Sequence, residues 1–124
     1  MNQREIKFRA WDEEYKRMFV PEAISNDGKA VILFSKYEGR KYDIPVMQYT
    51  GLKDKNGTEI YEGDIVEITD GLDKCNYKVE WIEKMCRFGI DGLMVSLYKL
   101  INEYDGFVVI GNIYENPELL KAGL

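Results

Sequence analysis

The stretch MQYTGLKDKNGTEIYEGDIVEI, Met47 to Ile68, decides the fold, because strand and turn signals follow one another along it without conflict. Val46, Met47, Tyr49 and Thr50 make a β-rich run that ends in the polar segment Lys53 to Gly57. A short run through Ile60 and Tyr61 leads to a second turn at Glu62-Gly63, then to the strand residues Ile65, Val66 and Ile68. Asn56-Gly57 supplies residues that tolerate positive φ in a hairpin loop. Gly63 permits a tight corner, and Asp64 after it can bond its own turn. The expectation is a small, strongly bent sheet.

Working outward toward the N-terminus, Ile6, Phe8 and Ala10 alternate with Lys7, Arg9 and Trp11, the period of a half-buried strand. Glu13-Glu14 reads as a turn, Tyr15 to Val20 as its partner strand, and Pro21 as the stop, since proline lacks a ladder donor. Asn26-Asp27-Gly28 is another turn, followed by the apolar strand Ala30 to Phe34. Ser35 to Asp43 is polar and is expected to be a loop, with Pro45 at a strand start.

Toward the C-terminus, Thr69 to Lys74 reads as a loop containing Asp70-Gly71, and Asn76 to Glu83 as a strand with Tyr77, Val79 and Trp81 on one face. Cys86 to Asp91 returns along it through a weak turn at Glu83-Lys84-Met85. Gly92 to Glu103 fits both periods, with Leu93, Leu97, Leu100 and Ile101 at helical spacing; the reading is a strand with a short helical turn. Phe107 to Ile113 is a strand with a bulge or close approach at Gly111. Asn116-Pro117 starts a short helix, asparagine at the N-cap and proline at the first helical position.

Three of these segments carry a family resemblance: REIKFRAWD (Arg4 to Asp12), MQYTGLKDKNGTEIYEGDIV and GNIYENPELL (Gly111 to Leu120). Together they resemble the YopX family of small proteins encoded by bacteriophages and prophages. The resemblance implies a C-terminal SH3-like β-barrel roll, a phage or prophage origin and no established biochemical activity. Glu13 to Pro45 and Thr69 to Val109 carry no motif of that family.

Composition bounds the rest. A chain of 124 residues, 45% hydrophobic and 31% charged, suits a globular domain that buries roughly two-thirds of its unfolded surface. A net charge of −5 disfavours broad contact with phosphate backbones. Arg4, Lys7, Arg9, Lys16 and Arg17 cluster near the N-terminus, but Glu5, Asp12, Glu13 and Glu14 interleave with them, which is the pattern of a solvated mixed-charge face. No apolar stretch approaches the ~18 residues of a membrane span, and the expected location is the cytoplasm, which the family resemblance implies to be that of a bacterial host. Cys75 and Cys86 are expected to be reduced thiols packed as small hydrophobes.

The absence of histidine removes histidine-based triads and most transition-metal sites. Ser25, Ser35 and Ser96 sit in no nucleophile elbow, and the glycines match neither a dinucleotide fingerprint nor a P-loop. Asp54 to Gly57 invites comparison with a calcium loop. With Gly57 as the turn glycine, however, Leu52 would hold the first ligand position and Gly63 the twelfth, so the register fails. Glu59, Glu62, Asp64 and Glu67 are dense enough to raise a metal-dependent hydrolase, yet turn and solvent-facing roles explain them more simply. Trp11, Tyr49, Tyr61 and Tyr114 are the candidate interaction surface, either a packing interface or a stacking platform for nucleic acid.

The residues predict a mainly-β protein with an N-terminal β region over residues 1–45, and the family resemblance implies that 46–124 is an SH3-like barrel, closed by a short C-terminal helix. The expected function is a non-enzymatic interaction module, without cofactor or metal, that forms a homo-oligomer or binds a protein. A nucleic-acid-binding barrel and a carboxylate-metal hydrolase are the alternatives.

Overall fold

The chain divides into two compact units, Glu5–Gln48 and one built on Tyr49–Leu124. The computed structural model describes residues 4–27, 30–33, 39–42, 44–90 and 96–122. In the first unit β1 (Phe8–Asp12) and β2 (Arg17–Phe19) form the expected antiparallel hairpin, with Ala10 opposite Phe19 and Asp12 opposite Arg17. Asp12 holds the turn between them. Its Oδ1 accepts from the amides of Glu14 and Tyr15 at 3.1 and 3.3 Å, and its Oδ2 from Arg17 Nε at 3.4 Å. The expected alternation stops here, because Ala10, Trp11 and Asp12 are all buried. Trp11 can turn inward because its indole N–H donates to Glu13 Oε2 at 2.7 Å, and Asp12 because the turn amides satisfy its carboxylate.

β3 (Ala23–Ile24), β4 (Ala30–Leu33) and β5 (Gly39–Tyr42) form an antiparallel three-stranded set. The strand β5 corrects the loop expected over Ser35 to Asp43: pairing of its backbone with β4 overrides a composition without apolar alternation. Gly28, Phe34 and residues 35–38 and 43 lie outside the described residues. β6 (Val46–Lys53) begins directly after Pro45, whose carbonyl accepts from the Trp11 amide at 3.1 Å. Its first residues pair with β1, Ala10 opposite Val46 and Phe8 opposite Gln48.

In the second unit the rest of β6 pairs with β7 (Glu59–Tyr61) across the Asn56-Gly57 hairpin, and Gly57 has the expected positive φ of 85°. The Gly63 corner also forms as expected, at φ 82°, with Asp64 Oδ2 accepting from the Tyr61 amide at 2.7 Å. β8 (Asp64–Asp70), β9 (Asp73–Ile82), β10 (Arg87–Ile90) and β11 (Gly106–Asn112) make a curled antiparallel sheet in the order β10-β9-β8-β11. β8 and β9 meet through Gly71-Leu72 alone, a tighter turn than the loop expected over Thr69 to Lys74, with Gly71 at φ 64°.

Glu83–Met85 is a single 3-10 turn that ends on Cys86 in the left-handed region at φ 51°. Cys86 is exposed there, which corrects its expected role as a packed hydrophobe. The register shifts between Val109 and Gly111, the expected bulge, and a Cβ on Gly111 would lie 2.5 Å from Asn116 Oδ1. That oxygen accepts from the Asn112 amide at 3.3 Å. The Asn116 side chain thus reaches back to the bulge, while its backbone carbonyl accepts from the Leu119 amide at 3.1 Å at the start of α2 (Glu118–Ala122).

Of the strand with a short helical turn expected over Gly92 to Glu103, residues 92–95 lie outside the described residues, and Leu97–Glu103 form α1, a full helix where a single turn was expected. Ser96 caps α1, its Oγ accepting from the Lys99 amide at 3.3 Å, and Leu97 and Leu100 enter the core. That core joins Ile60, Val66, Ile68, Val79, Ile90 and Phe107 to the two helix leucines. Apolar residues at helical spacing reach the core from a helix one turn apart, so packing decided the ambiguous period.

Candidate interaction surface and pocket

The four aromatic candidates do not share one environment. Trp11 and Tyr49 are buried, at 3% and 6% exposure. Tyr61 and Tyr114 are half-buried, so they are the accessible part of the quartet. The Tyr49 and Tyr61 rings pack at 5.5 Å between centroids across the β6–β7 pair, a cross-strand contact that stabilises the sheet. Burial raises the Tyr114 hydroxyl above its ordinary pKa, and the nearby Glu62 carboxylate adds to the rise.

The carboxylates singled out from the sequence divide in the same way. Asp64 is buried in its corner, and Glu67 faces Lys74 at 3.7 Å. Among the described residues no group of three acids and cysteines stands close enough to hold a metal ion. The acid that local sequence could not reveal is Asp54, 6% exposed. Its Oδ1 accepts from the Asn56 and Thr58 amides at 2.8 and 2.9 Å, and its Oδ2 from the Val109 amide at 2.8 Å. Asn112 acts alike, its Oδ1 accepting from Tyr114 and Glu115 at 3.0 and 2.9 Å. The buried polar residues Asp12, Asp54, Asp64 and Asn112 therefore each hold a turn, with backbone donors offsetting their dehydration.

A pocket of about 230 Å³ lies at the end of the β8–β9 hairpin, lined among the described residues by Ile68, Asp70, Asp73, Cys75, Tyr77 and Tyr104. The strand period of two puts Ile68 and Asp70 of β8 on one face with Asp73, Cys75 and Tyr77 of β9. Tyr104 ends α1, its carbonyl accepting from Lys55 Nζ at 2.6 Å. Partial burial is the largest cause that raises the Tyr77 hydroxyl pKa, and Cys75 beside it adds to the rise, so the phenol stays neutral at pH 7. The signal for this site was present in the sequence as alternating residues on either side of Asp70-Gly71, but reading Thr69 to Lys74 as a loop hid the alternation.

Comparison with known proteins agrees with this architecture. The family model described as YopX protein matches residues 7–121. The chain belongs to the YopX family. Protein EF1440 from Enterococcus faecalis is similar over 95% of this chain and 99% of its own, at 32% identity and a TM-score of 0.72. Protein yopX from Bacillus subtilis is similar over 92% of this chain and 97% of its own, at 23% identity and a TM-score of 0.56, a likeness of fold. The curated proteins contain no match. Among the described residues no helix is long and apolar enough to cross a membrane.

Proposed function

We propose that the protein is a non-enzymatic interaction module, of phage or prophage origin and working in the bacterial cytoplasm, that associates with a second copy of itself through the outer edge of β10. The second unit is read as an SH3-like roll. In support, β8, β9 and β10 form a meander, and β11 returns to β8 through a bulge. The family resemblance supports the phage origin, and the unpaired thiols of Cys75 and Cys86 suit a reducing compartment.

The observation that carries the reading is Trp81. It is 49% exposed and stands edge-on to Phe88 of β10 at 5.1 Å between ring centroids. Among the described residues β10 has β9 as its one strand neighbour, and its other side is the edge that this reading assigns to a further strand. Tryptophan is among the residue types that dominate binding energy at interface centres, and an edge beside an exposed tryptophan braced on the half-buried Phe88 provides both anchor and register.

Sedimentation at low and high salt, on the native chain and on Trp81→Glu, tests this. The native dimer should persist at high salt because apolar burial is insensitive to screening, and Trp81→Glu should sediment as a monomer. A labelled single-stranded oligonucleotide is titrated in parallel. A native monomer that binds the oligonucleotide and releases it on adding salt would overturn the reading in favour of a nucleic-acid module.

A further inference from the structure

We propose that the pocket at the end of the β8–β9 hairpin binds a primary alkylammonium group, the charged end of a small amine or of a lysine side chain. The inference does not rest on self-association and concerns a different part of the sheet. Asp70 and Asp73 are direct partners across the two-residue turn. Like charges at such positions destabilise a hairpin. Among the described residues neither carboxylate has an ion-pair partner: Lys74 reaches Glu67 at 3.7 Å, and Lys55 donates to the Tyr104 carbonyl at 2.6 Å while keeping its charge. A third acid stands close by: Asp105 Oδ2 accepts from the Gly71 amide at 3.1 Å. Among the described residues the hairpin end thus gathers three carboxylates, Asp70, Asp73 and Asp105, against the one ammonium of Lys55 held at the Tyr104 carbonyl.

The rest of the wall specifies which cation fits. Tyr77 and Tyr104 line it, and aromatic faces attract ammonium groups through the ring quadrupole. Ile68 and Cys75 supply an apolar surface that an alkyl stem can cover while its charged head reaches the carboxylates. A volume of about 230 Å³ falls below the roughly 300–1,000 Å³ of pockets for drug-sized ligands, so the occupant is a short chain and not a nucleotide. The acidic rim repels phosphates and carboxylates in any case. A bare divalent ion is the poorer match, since no group of three acids and cysteines among the described residues could hold one.

The test is an amide-resolved NMR titration of the full chain with n-butylammonium chloride at constant ionic strength, with n-butanol as the uncharged control. Saturable shifts should centre on Asp70, Asp73, Cys75, Tyr77 and Tyr104, and butanol should bind about tenfold more weakly. The double variant Asp70→Asn, Asp73→Asn should abolish that preference while the spectrum of the remaining sheet is unchanged. Equal binding of amine and alcohol, shifts that never saturate, or a preference that survives in the double variant would each overturn the assignment. A third ligand, Nα-acetyl-lysine methylamide, separates the sources. Tighter binding than butylammonium assigns the site to a protein lysine, and equal or weaker binding assigns it to a free amine.

Discussion

Two hairpin turns of the second unit, both rich in acid, use their carboxylates in opposite ways. In the loop from Asp54 to Thr58 one buried carboxylate accepts from three backbone amides, the third of them Val109. At Gly71-Leu72 two exposed carboxylates face each other without a cation among the described residues. The difference teaches that acid density along a chain says little about chemistry. What matters is whether backbone donors have already claimed the oxygens. Asp54 is fully used in holding the fold, whereas Asp70 and Asp73 remain available to something outside it.

The sharpest way to break the comparison is Asp54→Ala. It leaves three backbone donors without their acceptor, and the expected loss is about 3 kcal/mol in urea melts. A loss below about 1 kcal/mol would mean that water replaces the carboxylate and that the two turns are alike. Asp54→Asn keeps one acceptor but sets an N–H₂ against an amide donor, so about half of that loss is expected. Next in size is Gly57→Val. Space is not the issue, because a Cβ there meets nothing within 4 Å; the cost is the positive φ of 85°, about 1–2 kcal/mol. Gly57→Asn at nearly native stability would sharpen the point, since asparagine tolerates that region. The smallest effect has the opposite sign. Asp73→Asn relieves the cross-strand repulsion and should raise the midpoint by the equivalent of about 0.5 kcal/mol, whereas a destabilised variant would show that Asp73 is engaged as Asp54 is.

Features fixed by a residue's own conformational needs were legible in the sequence. Gly57 and Gly63 take positive φ, Asp64 bonds its own corner, Gly111 marks a bulge, and the Phe8 to Phe19 hairpin forms. What failed depended on distant partners. Asp54 reads locally as one residue of a polar turn segment because its third donor lies 55 positions away. Trp11 is the exception with a local partner: it alternates with core residues on paper yet is buried, since Glu13 two residues on takes its N–H. The Gly39–Tyr42 strand exists through its pairing with β4, which leaves no local trace. α1 was within reach: Ser96 before Leu97 and Leu100 is a cap followed by helical spacing, and the competing strand period outweighed it. Of the candidate surface, the aromatic residues were visible by type, but their burial depends on packing that spacing alone does not encode.

The bond between Asp54 and Val109 also fixes an order of events during synthesis. β8, β9 and β10 follow one another through short connections and can zip as soon as they emerge, whereas the Asp54 carboxylate must stay hydrated until β11 arrives. The loop is therefore locked by a strand made 55 positions later. A nascent chain halted before Val109 would carry a formed meander with an open, solvated loop, and a protease should cut it between Asp54 and Thr58 until β11 closes the clasp.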